Sequence, residues 1–130
     1  MNRIKDVTAA VICRNGKILI ARRAPGENMA GGWEFPGGKL EESETPEECL
    51  RRELLEELGV VADVKDFFFE SVYEYHQGAI RLLAYFTDIV EGKIRLSVHD
   101  DVQWVGAGEL LDYDLLPADI PIAQKLAESL

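Results

Sequence analysis

The chain has 130 residues, 24 Asp plus Glu against 14 Lys plus Arg, and a formal charge of −10. That length suits one compact domain with a real core, and a 47% apolar fraction excludes a disordered acidic chain. The acid excess argues against a protein that grips polymeric DNA or RNA, or an anionic membrane surface, because both need a basic face.

Val7 to Cys13 is β-branched and apolar, and Asn15-Gly16 is a strong hairpin signal leading into a return strand from Lys17 to Arg22. Ala24 to Gly32 is Gly-, Pro- and Asn-rich and reads as a loop; Trp33 to Phe35 is a short strand that Pro36-Gly37-Gly38 breaks. A helix follows with strong end signals. Thr45 is its N-cap, Pro46 its first residue, and Glu48 completes a capping box. Leu50, Leu54 and Leu58 form its buried stripe, and Gly59 is its left-handed stop.

Val60 to Glu70, Ser71 to Gln77 and Ile80 to Ile89 read as three further strands, with His76-Gln77-Gly78 as a turn between the last two. Ile94 to Leu96 and Val102 to Val105 are expected as short strands flanking an acidic loop, and Gly108 to Tyr113 as a short helix. Pro121 to Leu130 is expected as a terminal helix. Strands around one central helix and one or two late ones predict an α/β (or α+β) sandwich.

No apolar run approaches the roughly 18 residues of a membrane span. The mixed-charge start from Met1 to Asp6 is unlike a signal peptide, so the expected location is cytoplasmic. Cys13 and Cys49 each lie in an apolar periodic segment and read as two buried thiols, not as a disulfide or metal pair.

The acids are concentrated. Residues 41–57 hold eight Asp or Glu against Arg51 and Arg52, a net −6, and the rest of the chain contributes −4. On a helix, Glu53, Glu56 and Glu57 fall within an arc of roughly 100°. Crowded carboxylates repel unless a cation joins them, and hard oxygen ligands suit Mg²⁺ or Mn²⁺. The plain alternative is a solvated acidic face, with Glu48–Arg52 and Arg52–Glu56 as pairs one turn apart. Against it stand Gly37-Gly38, which can offer backbone groups to a metal-bound phosphate, and the cations Arg22, Arg23 and Lys39, which suit an anionic substrate.

Gly38, Glu44, Arg52, Glu53, Leu54, Glu56, Glu57, Gly59 and Val60 fill every position of G-x5-E-x7-R-E-U-x-E-E-x-G-U, where U is aliphatic. This pattern resembles the box of the Nudix hydrolases. Upstream, Trp33 to Lys39 resembles the approach to the box in MutT-type nucleoside triphosphate pyrophosphohydrolases. Downstream, Leu116-Pro117-Ala118-Asp119-Ile120-Pro121 resembles their base-reading loop, nearest the branch acting on CTP and modified pyrimidines. The similarity runs essentially end to end.

The resemblance implies a mixed β-sheet between helices and metal-dependent hydrolysis of a nucleoside triphosphate to the monophosphate and pyrophosphate. It makes Glu56 and Glu57 metal ligands, with the Gly37 carbonyl as a third, and Glu53 the general base or a further ligand. Arg52 orients Glu53, and Glu44 stabilises the loop or joins the metal shell. Arg23 becomes a phosphate contact, with Gly38 and Lys39 as weaker substrate contacts. Relatives often carry a Glu six residues before the strand Trp. Here Val98 stands there, and His99, Asp100 and Asp101 follow as substitutes or as a polar turn.

Asp119 aligns where the 8-oxo-dGTP branch carries Asn. An ionised carboxylate only accepts hydrogen bonds, which suits the amino group of cytosine; a protonated one donates and admits oxidised purines. Its structural alternative is a cap for the terminal helix. Phe35 and Tyr75 are candidate stacking surfaces or core aromatics. The expected partner is a small nucleotide, taken by a monomer or homodimer. Two alternatives remain open. One is ADP-ribose hydrolysis, although the proline common in ADP-ribose hydrolases is missing, or dinucleoside polyphosphate hydrolysis, for which Tyr73 and Tyr75 leave an opening. The other is a non-catalytic nucleotide sensor, which the intact Glu53, Glu56 and Glu57 oppose.

Overall fold

The structure is a computed structural model and describes residues 4–75 and 78–129. The first strand, β1 (Ile4–Arg14), turns at Asn15-Gly16 into β2 (Lys17–Arg23). Both turn residues have positive φ, 53° and 75°, which is why Asn-Gly stands there. Two-residue β3 (Trp33–Glu34) pairs antiparallel with β2. Helix α1 (Pro46–Leu58) follows, then β4 (Val61–Tyr75) and β5 (Gly78–Glu91), which pair antiparallel. β5 runs parallel to β1, and β6 (His99–Val105) pairs antiparallel with β2. The sheet is mixed, in the order β3-β2-β1-β5-β4 with β6 attached to β2. Helix α2 (Ile120–Ser129) closes the described chain.

β1 is buried on both faces, and its alternation divides the core. Ala10 and Ile12 pack with Leu19 and with Leu50, Leu54 and Leu58 of α1. Ala9 and Val11 pack with Ile18, Ile20 and the α2 residues Ile122 and Leu126. The sheet thus lies between two helices, the expected α/β sandwich.

The ends of α1 are fixed as its sequence requires. Thr45 and Glu48 form the reciprocal capping box, and Gly59 (φ 70°) donates its N–H back to Leu55. Among the described residues, no helix is long and apolar enough to cross a membrane.

Several expectations need correction. Val60 to Glu70 and Ser71 to Gln77 are not two strands: β4 runs unbroken to Tyr75, and register shifts near Val61, Val64 and Phe67 interrupt its side-chain alternation. Of the expected turn, His76 and Gln77 lie outside the described residues. Ile94 to Leu96 is not a strand. The Arg95 N–H instead donates to the Leu58 carbonyl at 2.8 Å and the Ser97 hydroxyl to that of Glu57 at 3.1 Å, so this segment satisfies the open end of α1. Residues 99–101 belong to β6, not to a loop. The late short helix is a 3₁₀ segment, Ala107–Asp112. Cys49 is buried, but Cys13 is exposed, because it sits at the hairpin end of β1, beyond the packed centre of the strand.

Candidate active site

The Pro36–Leu40 stretch lies against β1 and aims the acidic helix. Pro36 and Gly38 accept hydrogen bonds from the N–H groups of Ala10 and Thr8, at 2.7 and 2.8 Å. Extended backbone alternates, so the Gly37 carbonyl between them turns away from β1. Any side chain at Gly37 would collide with backbone, since an added Cβ would stand 2.0 Å from the Thr8 carbonyl oxygen. At Gly38 it would stand 2.3 Å from the Glu53 carboxyl. The two glycines therefore admit, in turn, a strand and the Glu53 carboxyl group. Gly37 and Lys39 open onto a cavity of about 800 Å³.

Arg52 organises the near end of this site. Its Nε and Nη2 donate to the two Glu44 oxygens at 2.8 and 2.9 Å, and Nη1 donates to Glu53 Oε1 at 2.8 Å. Nη2 also reaches the Lys39 carbonyl, tying helix to loop. The Arg52 bond, helped by the Glu41 N–H, holds the Glu44 pKa down to about 2. Glu44 is thus committed to a fork-like ion pair. Glu56 lies 3.7 Å from Arg52 and is largely exposed. Glu48 is committed to the capping box rather than to Arg52.

Glu57 is the strained group. Burial, with Glu53 and Glu34 adding negative charge, pushes its pKa up to about 9, and its Oε1 is buried with no partner among the described residues. An orphaned carboxylate oxygen beside two further carboxylates is the donor set a hard divalent cation neutralises. Among the described residues, no three acidic, His or Cys side chains already converge as a closed cation cluster. Glu53, Glu56 and Glu57 with the outward Gly37 carbonyl nevertheless offer oxygen ligands that fit such an ion.

Asp119, 5% exposed, lines the same cavity at the close of the 3₁₀ turn Pro117–Asp119. Its Oδ1 accepts the Phe35 N–H at 2.9 Å, so it is tied to the β3 end and does not serve as a cap for α2. Burial raises its pKa well above the usual carboxylate range, and the charge of Glu34 adds to this. Phe35 is buried, and both it and Tyr75 line the cavity. Arg23 lines it too, but its guanidinium already donates to Glu34 Oε2 at 3.0 Å and to the Asn28 carbonyl, with Glu27 at 3.6 Å.

The residues after Val98 do not face the acidic helix. Asp100 accepts from Arg22 at 2.8 Å, Asp101 accepts from Gln103, and His99 turns inward to Glu34. Sequence reasoning missed two site residues, Thr8 and Glu34. The Thr8 hydroxyl donates to the Gly38 carbonyl at 3.0 Å and so braces the glycine turn. Glu34 was signalled by one feature, a charge placed between the buried aromatics Trp33 and Phe35.

A family model described as NUDIX domain matches residues 4–126. The CTP pyrophosphohydrolase of Escherichia coli K12 is 40% identical over 119 residues, covering 92% of this chain and 88% of that protein. The 8-oxo-dGTP diphosphatase of the same organism is 32% identical over 126 residues, covering 97% and 98%. The solution structure of a MutT protein of the Nudix hydrolase family from methicillin-resistant Staphylococcus aureus 252 superimposes with a TM-score of 0.79 at 33% identity, covering all of both chains. With a glycine turn seated on a helix of carboxylates, and similarity across nearly the whole length, the chain belongs to the Nudix family of hydrolases.

Proposed function

We propose that this enzyme hydrolyses a nucleoside triphosphate to the monophosphate and pyrophosphate with Mg²⁺ (or Mn²⁺), taking a cytosine-type or an oxidised purine nucleotide. One observation carries the reading. The buried carboxylate of Asp119 is fixed to the Phe35 N–H, two residues before the Gly37-Gly38 turn that seats Glu53. The buried Asp119 and the Gly37 turn therefore line one cavity, and the acidic helix meets that turn at Gly38.

Each residue then has a definable task. Glu56, Glu57 and the Gly37 carbonyl would hold the ion. When bound, the ion neutralises phosphate oxygens and acidifies water. Arg52 keeps Glu53 Oε1 occupied, which leaves Oε2, beside Gly38, as the basic oxygen that takes the proton of the attacking water. Glu44 holds Arg52 in place for this. Lys39 meets the phosphate chain beside the Gly37-Gly38 turn, and Arg23, which lines the same cavity, adds positive charge for the anion. Phe35 and Tyr75 flank the base.

Asp119 reads the base in a way that depends on its proton. Ionised, it accepts from the cytosine amino group; protonated, as its burial favours, it donates to a ring nitrogen or keto oxygen. Both branches of relatives are therefore chemically accessible to one side chain. A substrate panel tests the proposal: CTP, dCTP and its methylated forms, standard and 8-oxo dNTPs, ADP-ribose and diadenosine polyphosphates, each with Mg²⁺. Pyrophosphate release that is greatest with a cytosine or 8-oxoguanine triphosphate supports it. Turnover confined to ADP-ribose or dinucleotides overturns it.

A further inference from the structure

We propose that Thr8 is a positioning residue for the cation site: its buried hydroxyl grips both backbone groups of Gly38 and so holds the Gly37 carbonyl turned outward as a ligand. The inference rests on the reading of that carbonyl as a metal ligand and adds what fixes its direction.

Alternation along β1 puts Thr8 on the same face as Ala10 and Ile12, toward α1. Thr8 is 1% exposed, and those two neighbours are apolar. Valine has nearly the same shape and would fill the place without a hydroxyl to desolvate, so packing does not account for Thr8. Its polar contacts do. Thr8 Oγ1 donates to the Gly38 carbonyl at 3.0 Å and accepts the Gly38 N–H at 3.4 Å.

The second of these bonds sets the direction of the peptide. The Thr8 N–H reaches the Gly38 carbonyl at 2.8 Å, but the return bond that would complete an antiparallel pair lands on the hydroxyl instead. Among the described residues, that hydroxyl is the only acceptor of the Gly38 N–H. In a trans peptide the N–H and the preceding carbonyl point in opposite directions. Holding the Gly38 N–H toward Thr8 therefore holds the Gly37 carbonyl away from β1, at a residue that lines the cavity. Two consecutive glycines give this peptide no side-chain restraint of its own, so the restraint comes from a neighbour.

Cys49 ties this grip to the acidic helix. It is buried on α1, four residues before Glu53. Its Sγ lies 3.3 Å from Thr8 Oγ1 and 3.3 Å from the Lys39 carbonyl. The hydroxyl proton is committed to Gly38, so the thiol is the donor between the two side chains and their carbonyl neighbour. Arg52, which holds Glu53, donates to the same Lys39 carbonyl at 3.2 Å. One buried bracket thus spans β1, the glycine turn and the helix of carboxylates, and it sets the Gly37 carbonyl and the Glu53 carboxyl group together.

The test titrates Mn²⁺ into the full-length protein without nucleotide, the free ion being read by electron paramagnetic resonance. Thr8→Val weakens Mn²⁺ binding about tenfold, the scale of losing a hydrogen bond that orients a metal ligand. Thr8→Ser, which keeps the hydroxyl, binds Mn²⁺ as wild type does. Carbon-detected NMR gives a second readout: Mg²⁺ shifts the Gly37 carbonyl line in the wild type, and the shift shrinks in Thr8→Val. A merely structural role would lower Tm and leave both metal readouts unmoved. Near-UV circular dichroism checks each fold; if Thr8→Val is unfolded, Thr8→Ala carries the decision. Unchanged Mn²⁺ affinity in a folded variant without the hydroxyl, or equal weakening in Thr8→Ser, overturns the inference while the Gly37 carbonyl stands as a ligand. If the wild type binds no Mn²⁺, or Mg²⁺ leaves its Gly37 line unmoved, the ligand reading itself fails and takes this inference with it.

Discussion

The carboxyl group of Glu53 occupies the space that a side chain at residue 38 would need: a Cβ added to Gly38 would stand 2.3 Å from its carboxyl carbon and from Oε2. Gly38→Ala therefore tests position without deleting any functional group. The obstructing atoms are the far end of a flexible side chain, so the fold should adapt, with Tm within about 4 °C of wild type. Displacement of Glu53 should cost roughly tenfold or more in kcat. Gly37→Ala should behave oppositely. Its Cβ meets the Thr8 backbone at 2.0 Å, which cannot yield cheaply, so destabilisation of about 1–3 kcal/mol or more is expected. Thermal melts and steady-state kinetics on the two variants check this contrast.

The Arg52 clamp predicts a particular acid response. Because the folded-state pKa of Glu44 is depressed from 4.5 to about 2, its contribution is complete above pH 4.5 and is lost as pH falls through about 2. Arg52→Ala should thus be less stable than wild type near neutrality, and the two stability curves should converge between about pH 4.5 and 2. Urea unfolding at stepped pH measures the gap. A gap that stays constant to pH 2 would count against the clamp.

Glu57 has the opposite sign. Its folded pKa is raised to about 9, so the folded state without a cation binds the extra proton. Stability from this group is therefore present below pH 4.5 and falls as pH rises through about 9. A bound divalent cation relieves that penalty, so Mg²⁺ should raise Tm more at pH 8 than at pH 5, with proton release on binding. Glu57→Gln should melt higher than the metal-free wild type at pH 8, lose most of the Mg²⁺ increment, and lose turnover by orders of magnitude. Near wild-type activity of this variant in saturating Mg²⁺ would sink its assignment as a ligand.

Asp119→Asn keeps an oxygen for the Phe35 N–H but replaces the titratable oxygen by an NH₂. The ratio of kcat/KM for dCTP to that for 8-oxo-dGTP should shift by about tenfold or more, the scale of one hydrogen-bond mismatch in a buried pocket. An unchanged ratio would remove Asp119 as the base reader.

Much of this site is legible in the chain because its signals are local. The capping box at Thr45 and Glu48 and the Gly59 stop fix both ends of α1, and helical spacing then places Glu53, Glu56 and Glu57 on one face without tertiary information. The Asn15-Gly16 turn is equally local. What escaped depends on pairing between distant segments. His99 and Glu34 are 65 residues apart and meet through a two-residue strand and a bulge that no periodicity announces. The full extent of β4 is not legible either, because register shifts between Val61 and Phe69 break its two-residue period. Residues 94–97 looked strand-like because of Ile94 and Leu96, although their backbone and Ser97 are used to close α1.

The most direct test of the central claim is product analysis on one reaction. The enzyme is incubated with dCTP or 8-oxo-dGTP and Mg²⁺ in ¹⁸O-water, and the products are resolved by ³¹P NMR and mass spectrometry. The account predicts monophosphate and pyrophosphate in equal amounts, with turnover abolished by EDTA and by Glu57→Gln. Orthophosphate and a nucleoside diphosphate as the products, or turnover indifferent to both treatments, would contradict it.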